Sequence, residues 1–246
     1  MYLFLATANY CGSTALHDVI ATSSSVTQLP DVHGTGCVEG VDFFKSKAKK
    51  ISKCFKSLEA NMEIVFNLES HHDMNSAKKI WESVWDKEKE IKLQKDPDDI
   101  FRVQLIQKYF DAKWLVMVRN PYQHLHSLYS RPHVTTKFVM KDIAYHVMRS
   151  MEVQMENVDF LKDNCIKFTY EEFTNNPQKI ANEISTFIPM LSDIDINKPL
   201  NVKMGGERNL SNMNCTDIPK ELIESSSEYF KGYQRVFDYW GYQYLG

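Results

Sequence analysis

The chain has 246 residues, 43% of them apolar and 25% charged, with 29 basic and 32 acidic side chains for a net charge of −3. That length suits one domain able to bury a core, and the balance excludes collagen-like, low-complexity and general nucleic-acid-binding classes. Five cysteines, Cys11, Cys37, Cys54, Cys165 and Cys215, form no CxxC pair and no zinc spacing, as expected of a reduced cytoplasmic chain without a disulfide framework.

Tyr2 to Ala8 reads as a buried strand and Ser13 to Thr22 as the helix behind it. Met1 to Leu16 lacks the basic start of a secretory signal, and Asn9, Tyr10, Gly12 and His17 interrupt its apolar run. No stretch approaches the roughly 18 apolar residues of a membrane span, so a soluble protein is expected. Val41 to Leu58 has helical spacing with lysines on one face, and Met62 to Asn67 is ambiguous between strand and helix end. Ser76 to Trp85 reads as a helix, and Glu90 to Leu93 as a short strand before "QKDPDD".

Asp98 to Phe110 is helical by its apolar positions. Trp114 to Val118 is a continuous apolar strand stopped by Asn120 and Pro121, with helices at Tyr122 to Tyr129 and Lys141 to Phe160. "CIKFTY" is a third clear strand, and "EEFTNNPQKIANEISTFI" passes from turn to helix. Lys220 to Tyr239 closes the chain as an amphipathic helix. There is no internal repeat and no linker composition, so residues 1–246 read as a single domain. Strands alternating with helices predict an α/β sandwich, P-loop-like, with a central, mostly parallel sheet. Its ligand site should lie beyond the carboxyl ends of the strands.

Two loops at those ends carry chemistry. In "LATANYCGSTALHDVI" a strand delivers Tyr10, Cys11, Gly12, Ser13 and Thr14 to a helix start, where main-chain N–H groups, two hydroxyls and the helix dipole favour a phosphate. The pattern is not GxxxxGK[ST], and a glycine turn with a serine cap explains it equally well. In "VMVRNPYQHLHSLYSRP" a strand ends at Arg119, and Ser127 follows eight residues on. An arginine fork and a hydroxyl at that spacing suit one phosphate. An arginine pairing a carboxylate at the sheet edge is the plainer alternative.

These two stretches, with "QKDPDDIFRVQLIQKYFDAK", "KFTYEEFTNNPQKIANEISTFI" and the closing "FDYWGY", resemble the sulfotransferases that use 3′-phosphoadenosine 5′-phosphosulfate (PAPS). The strand–Arg-Asn-Pro–Ser match at residues 119–127 is the most specific, while residues 40–90 and 190–215 match poorly. The resemblance implies a PAPS pocket. Tyr10, Cys11, Gly12, Ser13 and Thr14 would take the 5′-phosphosulfate end, and Arg119 and Ser127 the 3′-phosphate. Gly205, Gly206 and Arg208 would form a late loop near that phosphate. Lys95 matches the lysine that stabilises the transferring sulfuryl group in carbohydrate and tyrosylprotein members.

Two departures matter. Tyr10 stands where the family places arginine or lysine, so Lys95 is expected to supply the charge from across the pocket. The base is open as well. Pro97 occupies the position of the histidine in cytosolic phenol-type members, which leaves Glu39, with His33 as its nearby substitute. A carboxylate serves as base if burial raises its pKa.

Other clusters are set aside. Glu69, His71, His72 and Asp73 do not make a convincing metal site, and the expectation is no metal. Lysines 45, 47, 49, 50, 53 and 56 read as a solvated face or as a dock for an anionic acceptor. The closing aromatic series is read as core. The expected activity is sulfuryl transfer from PAPS to an acceptor of undefined type. A nucleotide-binding protein without turnover and a nucleoside or nucleotide kinase are the alternatives.

Overall fold

The computed structural model describes residues 1–30, 74–202, 206–210, 213 and 217–246. Glu39, His33, the lysine-rich segment, the Glu69–Asp73 cluster and the elements expected at 41–58 and 62–67 all lie outside the described residues.

Five strands form a parallel sheet in the order β2-β3-β1-β4-β5: β1 is Tyr2–Thr7, β2 Val26–Gln28, β3 Ile91–Lys95, β4 Lys113–Val118 and β5 Cys165–Thr169. Because both faces are covered, the central strands read as continuous apolar runs rather than alternating ones. The two faces still divide cleanly. Leu3 and Leu5 of β1 pack with Leu93, Leu115 and Met117 against α1 (Ser13–Ile20) and α8 (Pro177–Phe187). Phe4 and Ala6 point the other way, among Trp114, Val116 and Phe110. That second face is covered by α2 (Met74–Glu82), α3 (Val103–Phe110), α4 (Pro121–Tyr129), α6 (Met140–Leu161), α9 (Lys220–Phe230) and α10 (Gln234–Trp240).

Adjacent strands β1 and β4 therefore send their following helices, α1 and α4, to opposite faces of the sheet. Between two such strands the loops diverge and leave a crevice at the carboxyl ends.

Several boundaries moved for local reasons. The single helix expected over 98–110 is a 3-10 turn, Pro97–Phe101, followed by α3. Buried Arg102 sits at the break, with Nη2 at 3.3 Å from Asp96 Oδ1 and 2.9 Å from Asp99 Oδ1. Asp96 also accepts the Asp98 N–H, so the acidic run caps the turn instead of continuing a helix. The terminal helix breaks at Lys231–Tyr233, a 3-10 turn containing Gly232. After β5, Thr169 and Glu172 cap each other to open α7 (Tyr170–Asn175), and Pro177 starts α8 afresh. β2 was not anticipated, because a three-residue edge strand leaves no apolar run to read. Gly206–Arg208, expected as loop, forms β7 and pairs antiparallel with β6 (Leu200–Val202).

Candidate functional site

The loop after β1 turns abruptly. The Cys11 N–H closes onto Ala8 O at 3.2 Å, Tyr10 has φ 62 and Gly12 has φ 86. Only glycine fits at residue 12 on two counts. The backbone is left-handed, and a Cβ there would lie 2.6 Å from the Tyr170 ring. Gly12 is also the N-cap of α1, which has no side-chain cap and no acidic residue in its first turn. The first N–H groups of the helix and its positive dipole end are thus not neutralised by the helix's own side chains. Ser13 is buried and Thr14 half-buried at this end. The Cys11 thiol faces inward, and burial pushes its pKa up to about 12. Cys11 therefore shapes the loop and does not act as a nucleophile.

The loop after β4 is tied to the first one. Arg119 donates from Nη1 to Tyr10 O at 3.1 Å, and its guanidinium lies 4.6 Å from the centroid of the Tyr170 ring. The buried Arg119 Nε has no partner among the described residues, an orphan donor beside an uncapped helix start. Asn120 then accepts the N–H groups of Tyr122 and Gln123 through Oδ1, and Pro121 occupies the first turn, so α4 starts directly after Arg119. From α4, the His124 Nε2–H donates to Asn9 O at 2.7 Å. Ser127, half-buried, lies three residues further along the same helix.

That hydrogen bond suits either protonation state, and it is the surroundings that keep His124 neutral. Burial, the neighbouring His146 and the charge of Arg119 lower its pKa to about 3. His146 of α6 stands with its ring centroid 6.2 Å away, and burial lowers its pKa to about 4. Behind Arg119, Glu171 accepts the Asn120 N–H at 3.0 Å and the Tyr242 hydroxyl at 2.5 Å. Tyr170, Glu171, His124 and Tyr242 were not singled out from sequence. Only the motif "FTYEEF" and the closing "WGYQY" hinted that they carry more than packing.

Lys95 ends β3, aligned with Leu5 of β1, and is 2% exposed. It approaches β1 from the side opposite β4. Arg208 lies in β7, opposite Leu200. Near the loop tip, the Tyr10 hydroxyl is 2.8 Å from His133 Nε2, and the Arg131 guanidinium is 5.4 Å from the Tyr10 ring centroid. The structure thus joins the Tyr10–Thr14 loop to Arg119 and brings the α4 helix onto it.

The described residues include no cluster of histidine, cysteine and acidic side chains able to hold a metal, and no helix among them is long and apolar enough to cross a membrane. A cavity of about 880 Å³ between β5 and α8, lined by Ile166, Lys167, Lys179 and Phe187, is separate from these loops. The residues at the loops fit a phosphorylated nucleotide: an uncapped helix start, a glycine seat that no Cβ can enter, and an orphan arginine donor.

A sequence model described as "Sulfotransferase family" matches residues 3–190. No curated protein sequence matches the chain. Among solved structures, a sulfotransferase from Alicyclobacillus acidocaldarius superposes with a TM-score of 0.60 at 16% identity, covering 98% of this chain and 96% of that one. A sulfotransferase domain from the curacin biosynthetic pathway gives 0.57 at 16% identity, with 99% and 98% covered. A mouse sulfotransferase, SULT7A1, complexed with PAP, gives 0.52 at 12% identity, with 95% and 84% covered. At such identities the likeness is one of fold.

Proposed function

Because the chain belongs to the sulfotransferase family, we propose that it moves a sulfuryl group from PAPS to an acceptor hydroxyl and releases adenosine 3′,5′-bisphosphate. The observation that carries this reading is the junction of the two loops through Arg119 and Tyr10 O. It sets an arginine fork and an uncapped helix N-terminus side by side, which suits a nucleotide phosphorylated at both ends. The Gly12–Thr14 N–H groups and the hydroxyls of Ser13 and Thr14 take the 5′-phosphosulfate, with Tyr10 and Cys11 shaping that seat. Arg119 and Ser127 hold the 3′-phosphate, with Arg208 as a further contact.

In the transfer, the acceptor oxygen bonds to sulfur as the bond from sulfur to the bridging oxygen breaks. The electron pair stays on the 5′-phosphate, and the acceptor proton passes to a base. Lys95 stabilises the charge on the departing phosphate, and Glu39 is the proposed base. Pro97, in place of the histidine of phenol-type members, supports the carbohydrate or tyrosylprotein type of acceptor chemistry. The five scattered cysteines, with no CxxC pair among them, support a reducing, cytoplasmic setting.

The test is calorimetry with adenosine 3′,5′-bisphosphate against ADP and AMP. Preference for the 3′-phosphorylated nucleotide, lost in Arg119→Ala, is the expected result; no preference sinks the assignment. A nucleotide-binding protein without turnover is the second reading, favoured by Tyr10 at the position of the family's cation. Transfer of labelled sulfate from PAPS to glycans, lipids, phenols or peptides, abolished by Lys95→Ala, would exclude it.

A further inference from the structure

We propose that Arg131 supplies the positive charge that the loop lacks at Tyr10, holding the 5′-phosphate end of the nucleotide from the α4 side. This rests on reading the Tyr10–Thr14 loop as the seat of that phosphate.

The geometry follows from how α4 ends. α4 ends at Tyr129, and Arg131 follows in extended backbone (φ −104, ψ 113) because Pro132 comes next and opens the short helix α5 (Pro132–Thr135). That stop carries the guanidinium over the Tyr10 face, 5.4 Å from the ring centroid. One residue past the proline, His133 Nε2 meets the Tyr10 hydroxyl at 2.8 Å. Tyr10, itself in left-handed backbone with φ 62, is therefore gripped by both residues that flank Pro132.

The charge is felt at the phenol. Burial raises the Tyr10 pKa, and Arg131 pulls it back toward the ionised form. A cation that stabilises negative charge on Tyr10 oxygen will do the same for a phosphate oxygen beside it. Guanidinium charge persists at any working pH and presents a planar fork suited to phosphate.

Lys95 and Arg131 then act from opposite sides. Lys95 ends β3 on one flank of β1, and Arg131 arrives after α4, which follows β4 on the other. Lys95 is buried and Arg131 half-buried at the mouth. The loop cation of the family is thus replaced by a residue that is distant in sequence and delivered by helix termination.

The experiment measures binding of adenosine 3′,5′-bisphosphate, AMP and 3′-AMP to wild type, Arg131→Ala, Arg131→Gln and the double variant Tyr10→Lys/Arg131→Ala. Loss of one charge-assisted contact predicts roughly tenfold or more weaker binding of the two 5′-phosphorylated ligands in both single variants. 3′-AMP should stay within about twofold, because its phosphate does not touch this residue. Tyr10→Lys, restoring a loop cation, should recover most of the loss. A loss seen with 3′-AMP instead, unchanged binding in both single variants, or no recovery in the double variant overturns the inference while leaving the sulfotransferase reading in place. Wild-type protein that binds none of the three nucleotides overturns that reading and this inference with it.

Discussion

Tyr170 closes the floor of the candidate site against two partners: its ring lies 4.6 Å beneath the Arg119 guanidinium and leaves no room for a Cβ on Gly12. Its hydroxyl donates to Met213 O at 2.9 Å, so the ring is fixed at its far end as well. One aromatic side chain thereby sets the height of both loops.

Replacing Gly12 by alanine should cost about 1–3 kcal/mol from the left-handed backbone alone, with a further loss from the clash with Tyr170. Denaturant melts of Gly12→Ala, Tyr170→Ala and the double variant separate the two parts. The double variant should be more stable than the sum of the single losses implies, because removing the ring relieves the clash and leaves only the backbone strain.

Tyr170→Phe keeps the ring under Arg119 and removes only the hydroxyl bond to Met213 O. It should cost roughly 0.5–1.5 kcal/mol of stability with little change in nucleotide affinity. Tyr170→Leu also removes the cation–π contact, and should weaken adenosine 3′,5′-bisphosphate binding by a further factor of several. Equal affinities for the two variants would show that the ring does not position Arg119.

The two buried histidines make stability depend on pH. Their folded pKa values, about 3 for His124 and about 4 for His146, lie below the unfolded value of 6.5. The unfolded chain therefore binds protons that the folded chain refuses, and stability is complete above pH 6.5 and falls as the pH drops toward 4. The expected slope is roughly 1 kcal/mol per pH unit per histidine. Melts of His146→Leu between pH 7.5 and 5 should show about half the wild-type slope. A slope as steep as wild type would mean that His146 takes up its proton as readily in the folded chain as in the unfolded one.

Tyr242→Phe removes the hydroxyl that donates to Glu171, a charge-assisted bond at 2.5 Å. The loss should be about 1.5–3 kcal/mol. The Tyr242 phenol is held far above its ordinary range by burial and by the Glu171 carboxylate. In ultraviolet titration of the wild type, one tyrosine should therefore resist ionisation until the protein unfolds, and Glu171→Gln should bring it forward.

Much of this architecture was legible in order and type. β1, β4 and β5 announced themselves because a parallel strand covered on both faces must be apolar throughout, as "LFLA" and "WLVMV" are. Arg119 could be placed just past the end of β4, and Ser127 on the helix that follows, because strand, turn and helix have set lengths. Breaks inside helices were less legible. The turn at 97–101 depends on Arg102 meeting Asp96 and Asp99, and no periodicity encodes that meeting.

Sequence alone determined the local seats: a glycine where the backbone must turn left-handed, an arginine where a buried strand ends, a proline where a helix must restart. These follow from the steric limits of single residues and from the repeat of single elements. Tertiary structure decided which seats face one another. Tyr170 lies 158 residues from Gly12 and Arg131 is 121 residues from Tyr10, yet each pair is in contact because β1, β4 and β5 are neighbours in one sheet. Strand order is set by the packing of both faces at once, so the meeting of Arg131 with Tyr10 emerges only when the sheet is assembled.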